Sequence, residues 1–240
     1  MQLSVNNTYR DISNTAGTQL IELLGNVKNP LLCTASGDSP RGLYQYLALQ
    51  QKVQTVQTSG WYFVGLDEWL GMNGSDTGSC RYHLNNDLFG PLQVNNQQLC
   101  FFNGRATDPL AECNKTENFI REHGPVQVAI IGLGTNGHVG MNEPGTPANS
   151  RCHVADIDET TMLTGQKYFT GPTQLNKGLT LGIENLLAAK HIFLMVSGLK
   201  KAAIVAQVMQ ANISENIPAT LLRNHPGLHV YLDNEAASQL

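Results

Sequence analysis

Apolar and polar positions along the chain fall into two alternating patterns. Short runs that are apolar nearly throughout read as buried strands: residues 30–35 (PLLCTA), 61–66 (WYFVGL), 126–133 (VQVAIIGL), 191–196 (HIFLMV) and 228–232. The run at 126–133 is the clearest parallel type, because a strand covered on both faces loses its polar alternation. Other stretches carry apolar residues at helical spacing. Residues 40–50 hold Leu43, Tyr44 and Leu47, and residues 108–123 hold Leu110, Cys113, Phe119 and Ile120. A helix follows from Leu199 towards Gln210, and residues 177–187 read as a strand turning into a helix. The residues ahead of Pro30 supply at most one helix. Strand–helix alternation of this kind predicts a modified doubly wound α/β fold, a mostly parallel sheet with helices on both faces, over residues 1–240 as one domain.

Composition narrows what such a sheet serves. Of 240 residues, 41% are hydrophobic and only 14% charged, with a net charge of −4. That balance excludes a nucleic-acid binder working through a basic face. No run approaches the length of a membrane span. The first ten residues are polar and lack the layout of a signal peptide, so a cytoplasmic location is expected. Five cysteines (Cys33, Cys80, Cys100, Cys113, Cys152) are odd in number and form no CxxC pair. They read as free thiols in a reducing compartment rather than as a disulfide frame or a metal site.

In a doubly wound sheet, ligands sit beyond the carboxyl ends of the strands. Four loops there carry unusual residues. The first, Ser36-Gly37-Asp38-Ser39-Pro40-Arg41-Gly42, suits a helix opening with Ser39 as N-cap and Pro40 in the first turn. It is either a phosphate cradle or a plain tight turn, and Asp38 is an awkward neighbour for an anion. The second places Asp67 and Glu68 at a strand end, either for base chemistry or as a solvated terminus. The third, GLGTNGHVGMNEPG at 132–145, holds His138, with Glu143 five residues on to orient the ring. The fourth, Ser197-Gly198-Leu199-Lys200-Lys201, offers a cation for phosphate or a solvated lysine pair.

SGDSPRGLY, LDEWLG, GLGTNGHVGMNEPG and SGLKKA, in this order from about Leu31 to Leu232, resemble the glucosamine-6-phosphate deaminase/isomerase family. The resemblance implies conversion of an amino-hexose 6-phosphate to a ketohexose 6-phosphate and ammonia, without cofactor or metal. It implies Asp67 as the base at C2, His138 as the ring-opening group, and Asn136 and Glu143 holding the imidazole. It puts the phosphate on Gly37, Asp38, Ser39 and Lys201. Lys167 and Glu68 are further candidates. The expected partner is one small amino-sugar phosphate, with no nucleic acid and no membrane; the oligomeric state is left open.

Three departures stand out. Asn136 replaces the aspartate of well-known members, so the imidazole loses a charge partner. Lys167 is nearest to a phosphate-binding arginine, as a point charge rather than a fork. His153 and Ala155 occupy positions where activator-regulated members carry basic residues, which speaks against that site here. The DEW and CHVADID segments lean towards galactosamine-6-phosphate isomerases, although no residue reads C4. A sister reading, 6-phosphogluconolactonase, goes with an arginine after DE and a Thr-Ala-Ser run after GH; here Trp69 and Val139-Gly140-Met141-Asn142 stand instead. A sugar-phosphate-binding module without catalysis is the third reading, and it would need an added helix-turn-helix segment.

Overall fold

A computed structural model describes residues 1–240. Seven strands form one parallel sheet: β1 (Gln2–Asn6), β2 (Leu31–Thr34), β3 (Tyr62–Gly65), β5 (Leu99–Cys100), β6 (Val126–Gly132), β9 (His191–Val196) and β10 (Leu228–Asp233). Their order is β1-β10-β9-β6-β2-β3-β5, with every pairing parallel. Strand alternation sends Ala129 and Ile131 into one apolar layer and Val128 and Ile130 into the other. The first layer is closed by α4 (Pro109–His123), α6 (Ile183–Leu187) and α7 (Ala202–Gln210). The second is closed by α1 (Tyr9–Leu24), α2 (Asp38–Lys52) and α3 (Cys80–Leu84). The doubly wound expectation holds, and burial on both faces explains why these strands read as unbroken apolar runs.

Strand order reverses between β2 and β6. The loop after β2 turns towards β3 and the loop after β6 towards β9, which opens a crevice between them.

Three features depart from the sequence reading. The segment before β2 supplies β1 as well as α1. QLSVN sits at the sheet edge with Leu3 and Val5 largely exposed, so it carries no apolar run. Asp67 and Glu68 are not the end of β3. They belong to β4 (Asp67–Trp69), in a separate antiparallel sheet ordered β4-β8-β7 with β8 (Lys177–Thr180) and β7 (His153–Asp156). Ser39 does not cap α2. Gly37 takes that position with φ 95°, a conformation that glycine adopts freely, so the helix begins at Asp38 and Ser39 lies within its first turn. Helix α5 (Glu159–Gly165) leads into a short 3₁₀ turn, Gln166–Tyr168. All five cysteines are free. No helix is long and apolar enough to cross a membrane.

At the opposite end of the sheet, α1 is tied to β9 and β10 by a chain of polar groups. The Tyr231 hydroxyl donates to Gln19 Oε1 (2.6 Å), which turns Gln19 Nε2 towards His229 Nδ1 (3.0 Å). His229 Nε2 therefore donates to His191 Nδ1 (3.1 Å). The chain needs both rings neutral. Burial and then the neighbouring histidines hold both below the ordinary histidine value. Its contribution is thus full above about pH 6.5 and is lost as pH falls through the histidine range. His229→Ala is expected to cost about 1 kcal/mol at pH 7.5. Chemical denaturation at pH 7.5 and 5.5 checks this: the gap to wild type narrows at the lower pH, and a constant gap contradicts the assignment.

Candidate active site

The crevice at the strand-order reversal is a cavity of about 820 Å³. Its wall takes Ser36, Gly37, Asp38 and Ser39 from the end of β2, and Asp67 from β4. It takes Gly132 to Thr135 and His138 from the loop after β6, Lys167 and Tyr168 from the turn after α5, and Ser197 to Lys201 from the end of β9. Residues scattered over 166 positions of chain thus face one space because parallel strands all end on one side.

Asp67 is 9% exposed, and burial raises its carboxyl to about pH 6, a rise that the Cys80 thiol beside it opposes. That value suits a group that must take and return a proton near neutrality. Glu68 faces away and is fully buried. Its Oε1 accepts from the N–H groups of Trp69 and Cys80 (both 2.9 Å) and its Oε2 from that of Arg81 (3.0 Å). Glu68 is therefore no cavity carboxylate: alternation along β4 points it at the start of α3, which it caps. Burial raises it to about 7, against the pull of those three N–H groups.

His138 is held from behind. Its Nδ1 lies 2.7 Å from Asn136 Oδ1 and 2.9 Å from Thr161 Oγ1. Asn136 Nδ2 in turn donates to Glu143 Oε2 (2.9 Å) and Asp158 Oδ1 (3.3 Å). Both amide hydrogens are thereby used, and Oδ1 is left as the acceptor for Nδ1–H. Glu143 Oε2 is 3.5 Å from Nδ1. The contact is not an ion pair at neutral pH, because burial and then Lys201 depress His138 to about 4. A neutral ring with its proton on Nδ1 leaves Nε2 as a base. Neither Asn136 nor Glu143 lines the cavity; each acts through the imidazole. Gly134 permits the arrangement, since a Cβ there would lie 2.2 Å from the ring.

The far end of the cavity is cationic. Lys201 Nζ donates to Leu133 O (2.5 Å), and burial followed by the charge of Lys167 lowers it to about 8. Two ammonium groups facing one cavity favour an anion there. Gly37 and Ser39 present the start of α2 to the same space. The Asp38 side chain is no anion ligand. Lys167 (2.6 Å) and Arg41 (2.9 Å) hold its carboxylate, and Lys167 also lies over the Tyr168 ring (4.8 Å). No cluster of three or more His, Cys, Asp or Glu side chains is placed to hold a metal.

Sequence reasoning missed Asp158, Thr161, Cys80 and Tyr168. Asp158 had one available signal, since it precedes α5 and caps it through Thr160 N (2.9 Å).

Fold and site together define an α/β protein with a carboxylate, a neutral imidazole and two lysines around one strand-end cavity. The chain belongs to the family of glucosamine-6-phosphate isomerases and 6-phosphogluconolactonases, whose model matches residues 10–230. It is 31% identical over 241 residues to the glucosamine-6-phosphate deaminase of Oceanobacillus iheyensis, covering 100% of this chain and 96% of that protein. It is 33% identical over 232 residues to glucosamine-6-phosphate deaminase 1 of Bacillus subtilis, covering 96% of each. A solved monomeric glucosamine-6-phosphate deaminase superposes over the full length of both chains with a TM-score of 0.96 at 32% identity. The 6-phosphogluconolactonase of Trypanosoma brucei superposes over 100% of this chain and 98% of that one, with a TM-score of 0.78 at 19% identity, a likeness of fold alone.

The geometry around Nδ1 sets a test. Asn136→Asp places a carboxylate against the ring, which stabilises the imidazolium. His138 should then titrate roughly one to three pH units higher. Imidazole resonances followed by NMR between pH 3.5 and 8 check this, and an unshifted His138 contradicts the contact.

Proposed function

We infer that the chain is an amino-sugar-phosphate deaminase/isomerase, acting on glucosamine-6-phosphate in keeping with its relatives. The observation that carries this reading is one cavity presenting a carboxylate poised near pH 6 and a neutral imidazole base, with paired lysines beside them. The lysines, with Gly37 and Ser39, anchor the phosphate. His138 Nε2 takes the proton from O1 of the closed sugar and delivers it to the ring oxygen, which opens the ring to an aldehyde. Asp67 removes the C2 proton, now acidified by that carbonyl, and returns it to C1 through an enediol-like intermediate. The resulting C2 imine adds water and releases ammonia. Ring opening and the C2-to-C1 shift are driven by proton transfers, and general acid–base catalysis of this kind supplies roughly 10²–10⁴-fold. Fixing the open chain at both ends supplies much of the remainder. One domain spanning residues 1–240, a cytoplasmic location and a small-molecule partner complete the reading.

Parallel assays of ammonia release from glucosamine- and galactosamine-6-phosphate test it. Turnover of glucosamine-6-phosphate is expected, and rapid turnover of its C4 epimer instead would move the substrate assignment. Asp67→Asn should abolish exchange of the C2 proton with solvent deuterium and retain phosphate-dependent binding. Exchange at the wild-type rate in that variant would remove Asp67 from the role. Hydrolysis of 6-phosphogluconolactone without deamination would favour the lactonase reading.

The free enzyme also predicts a pH profile. Activity needs Asp67 ionised and Lys201 charged, so kcat/KM should fall below about pH 6 and above about pH 8. A flat profile from pH 5 to 9 would contradict both roles.

A further inference from the structure

Two threonines of α5 use their hydroxyls differently. Thr164 takes the ordinary helical course and donates back to the carbonyl of Thr160, four residues earlier. The Thr161 hydroxyl instead leaves the helix. Its Oγ1 lies 2.9 Å from His138 Nδ1, 23 residues away along the chain. Thr161 is 7% exposed and lines the cavity, so its hydroxyl has little water to turn to.

The direction of this contact follows from its neighbours. Asn136 spends both amide hydrogens on Glu143 and Asp158, so its Oδ1, 2.7 Å from the same ring nitrogen, can only accept. Nδ1 must therefore carry the hydrogen, because an unprotonated Nδ1 would set one lone pair against another. A ring nitrogen that donates makes Thr161 an acceptor as well. One N–H is shared between two oxygens, one from its own loop and one from α5. Asn136 belongs to the same loop as His138, so its bond orients the ring only within that loop. Thr161 refers the ring to the rest of the cavity. The seven residues of α5 are too few to form a stable helix unaided, and the segment is held at both ends. Asp158 at its start accepts from Asn136 Nδ2 and Thr160 N, and beyond its end Lys167 reaches Asp38 at the start of α2 (2.6 Å). Thr161 and Lys167 both line the cavity, so one short stretch of chain spaces the imidazole from the phosphate end.

We propose that Thr161 is a positioning residue for His138: its hydroxyl oxygen is the second acceptor of Nδ1–H, holds Nε2 towards the cavity and ties the ring-opening base to the segment that carries Lys167. The proposal rests on the deaminase/isomerase reading for its kinetic consequence. As Nε2 takes the proton from O1, the ring becomes cationic and the bonds from Nδ1–H strengthen. The contact therefore counts most at ring opening.

Thr161→Val removes the hydroxyl at nearly the same volume, and Thr161→Ser keeps it. Long-range ¹H–¹⁵N spectra of the full chain at pH 7, read through the carbon-bound protons of the His138 ring, report which ring nitrogen carries the hydrogen and need no substrate. Wild type should show it on Nδ1. In Thr161→Val the Nδ1 signal should move towards that of an unprotonated nitrogen, and in Thr161→Ser it should return. The kcat for glucosamine-6-phosphate should fall about fivefold or more in Thr161→Val, with KM within about twofold of wild type, and recover in Thr161→Ser. A threonine that only fills space would leave Nδ1 where it is. A hydrogen on Nε2 in wild type, an Nδ1 signal unmoved in Thr161→Val or moved alike in both variants, or an unchanged kcat in Thr161→Val overturns the proposal. If Nδ1 moves and returns as stated while wild type releases no ammonia, the positioning stands and the deaminase reading fails. If wild type is active and Nδ1 does not move, the reading stands and the proposal fails.

Discussion

Leu66 is stitched into both sheets. Its N–H donates to Thr34 O (3.0 Å) at the end of β2, and its carbonyl accepts from Leu181 N (2.9 Å) just beyond β8. The residue is 1% exposed, so neither group has water as an alternative partner, and losing either bond would strand a buried polar group. This handover takes the chain out of the parallel sheet and starts the antiparallel one. Asp67 is the next residue. A second tie runs beside it, where Asn142 Nδ2 donates to both Val139 O (2.8 Å) and Leu181 O (2.9 Å). The loop bearing His138 and the strand bearing Asp67 are thereby referred to one point, Leu181. Carboxylate and imidazole come from separate strands, yet the backbone bonds of Leu66 and the buried Asn142 amide fix their mutual placement.

This junction explains which features could be read in the amino-acid order. Strands β2, β3, β6, β9 and β10 were legible because both their faces are buried, so selection for apolar side chains is continuous along each. The four strand-end loops were legible because parallel topology dictates where chemistry collects, and Gly37, Asp67, His138 and Lys201 mark those ends. β1 was hidden because an edge strand needs only part of its surface covered. Of the second sheet, β8 was legible as the strand that opens residues 177–187, whereas β4 and β7 were hidden because they are three and four residues long and lie outside any apolar run. Such lengths leave no period to detect.

The site contacts missed in the sequence share one property: each joins distant parts of the chain. Thr161 reaches His138 across 23 residues, Asp158 reaches Asn136 across 22 and Lys167 reaches Asp38 across 129. The residues are ordinary where they stand, and only folding makes them neighbours. Glu68 is the instructive contrast. A carboxylate pair at a strand end looks like two candidates for one role, but strand alternation allows only one of two adjacent residues to face a given side. One bit of geometry divides the pair into a cavity acid and a helix anchor.

The amide at Asn136 follows the same logic of donors and acceptors. Two carboxylates, Glu143 and Asp158, take both of its hydrogens, so the amide cannot turn around without setting oxygen against oxygen. Its Oδ1 is therefore committed to accepting from His138 Nδ1, and the tautomer of the ring is fixed by a neutral group. The negative charges orient the imidazole at one remove through a neutral group. Burial, and then Lys201 on the cavity side, keep the ring unprotonated against the pull of Asp158. A base that opens a sugar ring must be free to take a proton and must also give it up. Orientation through an amide meets both requirements, because the group hydrogen-bonded to Nδ1 carries no charge that would lock in the imidazolium.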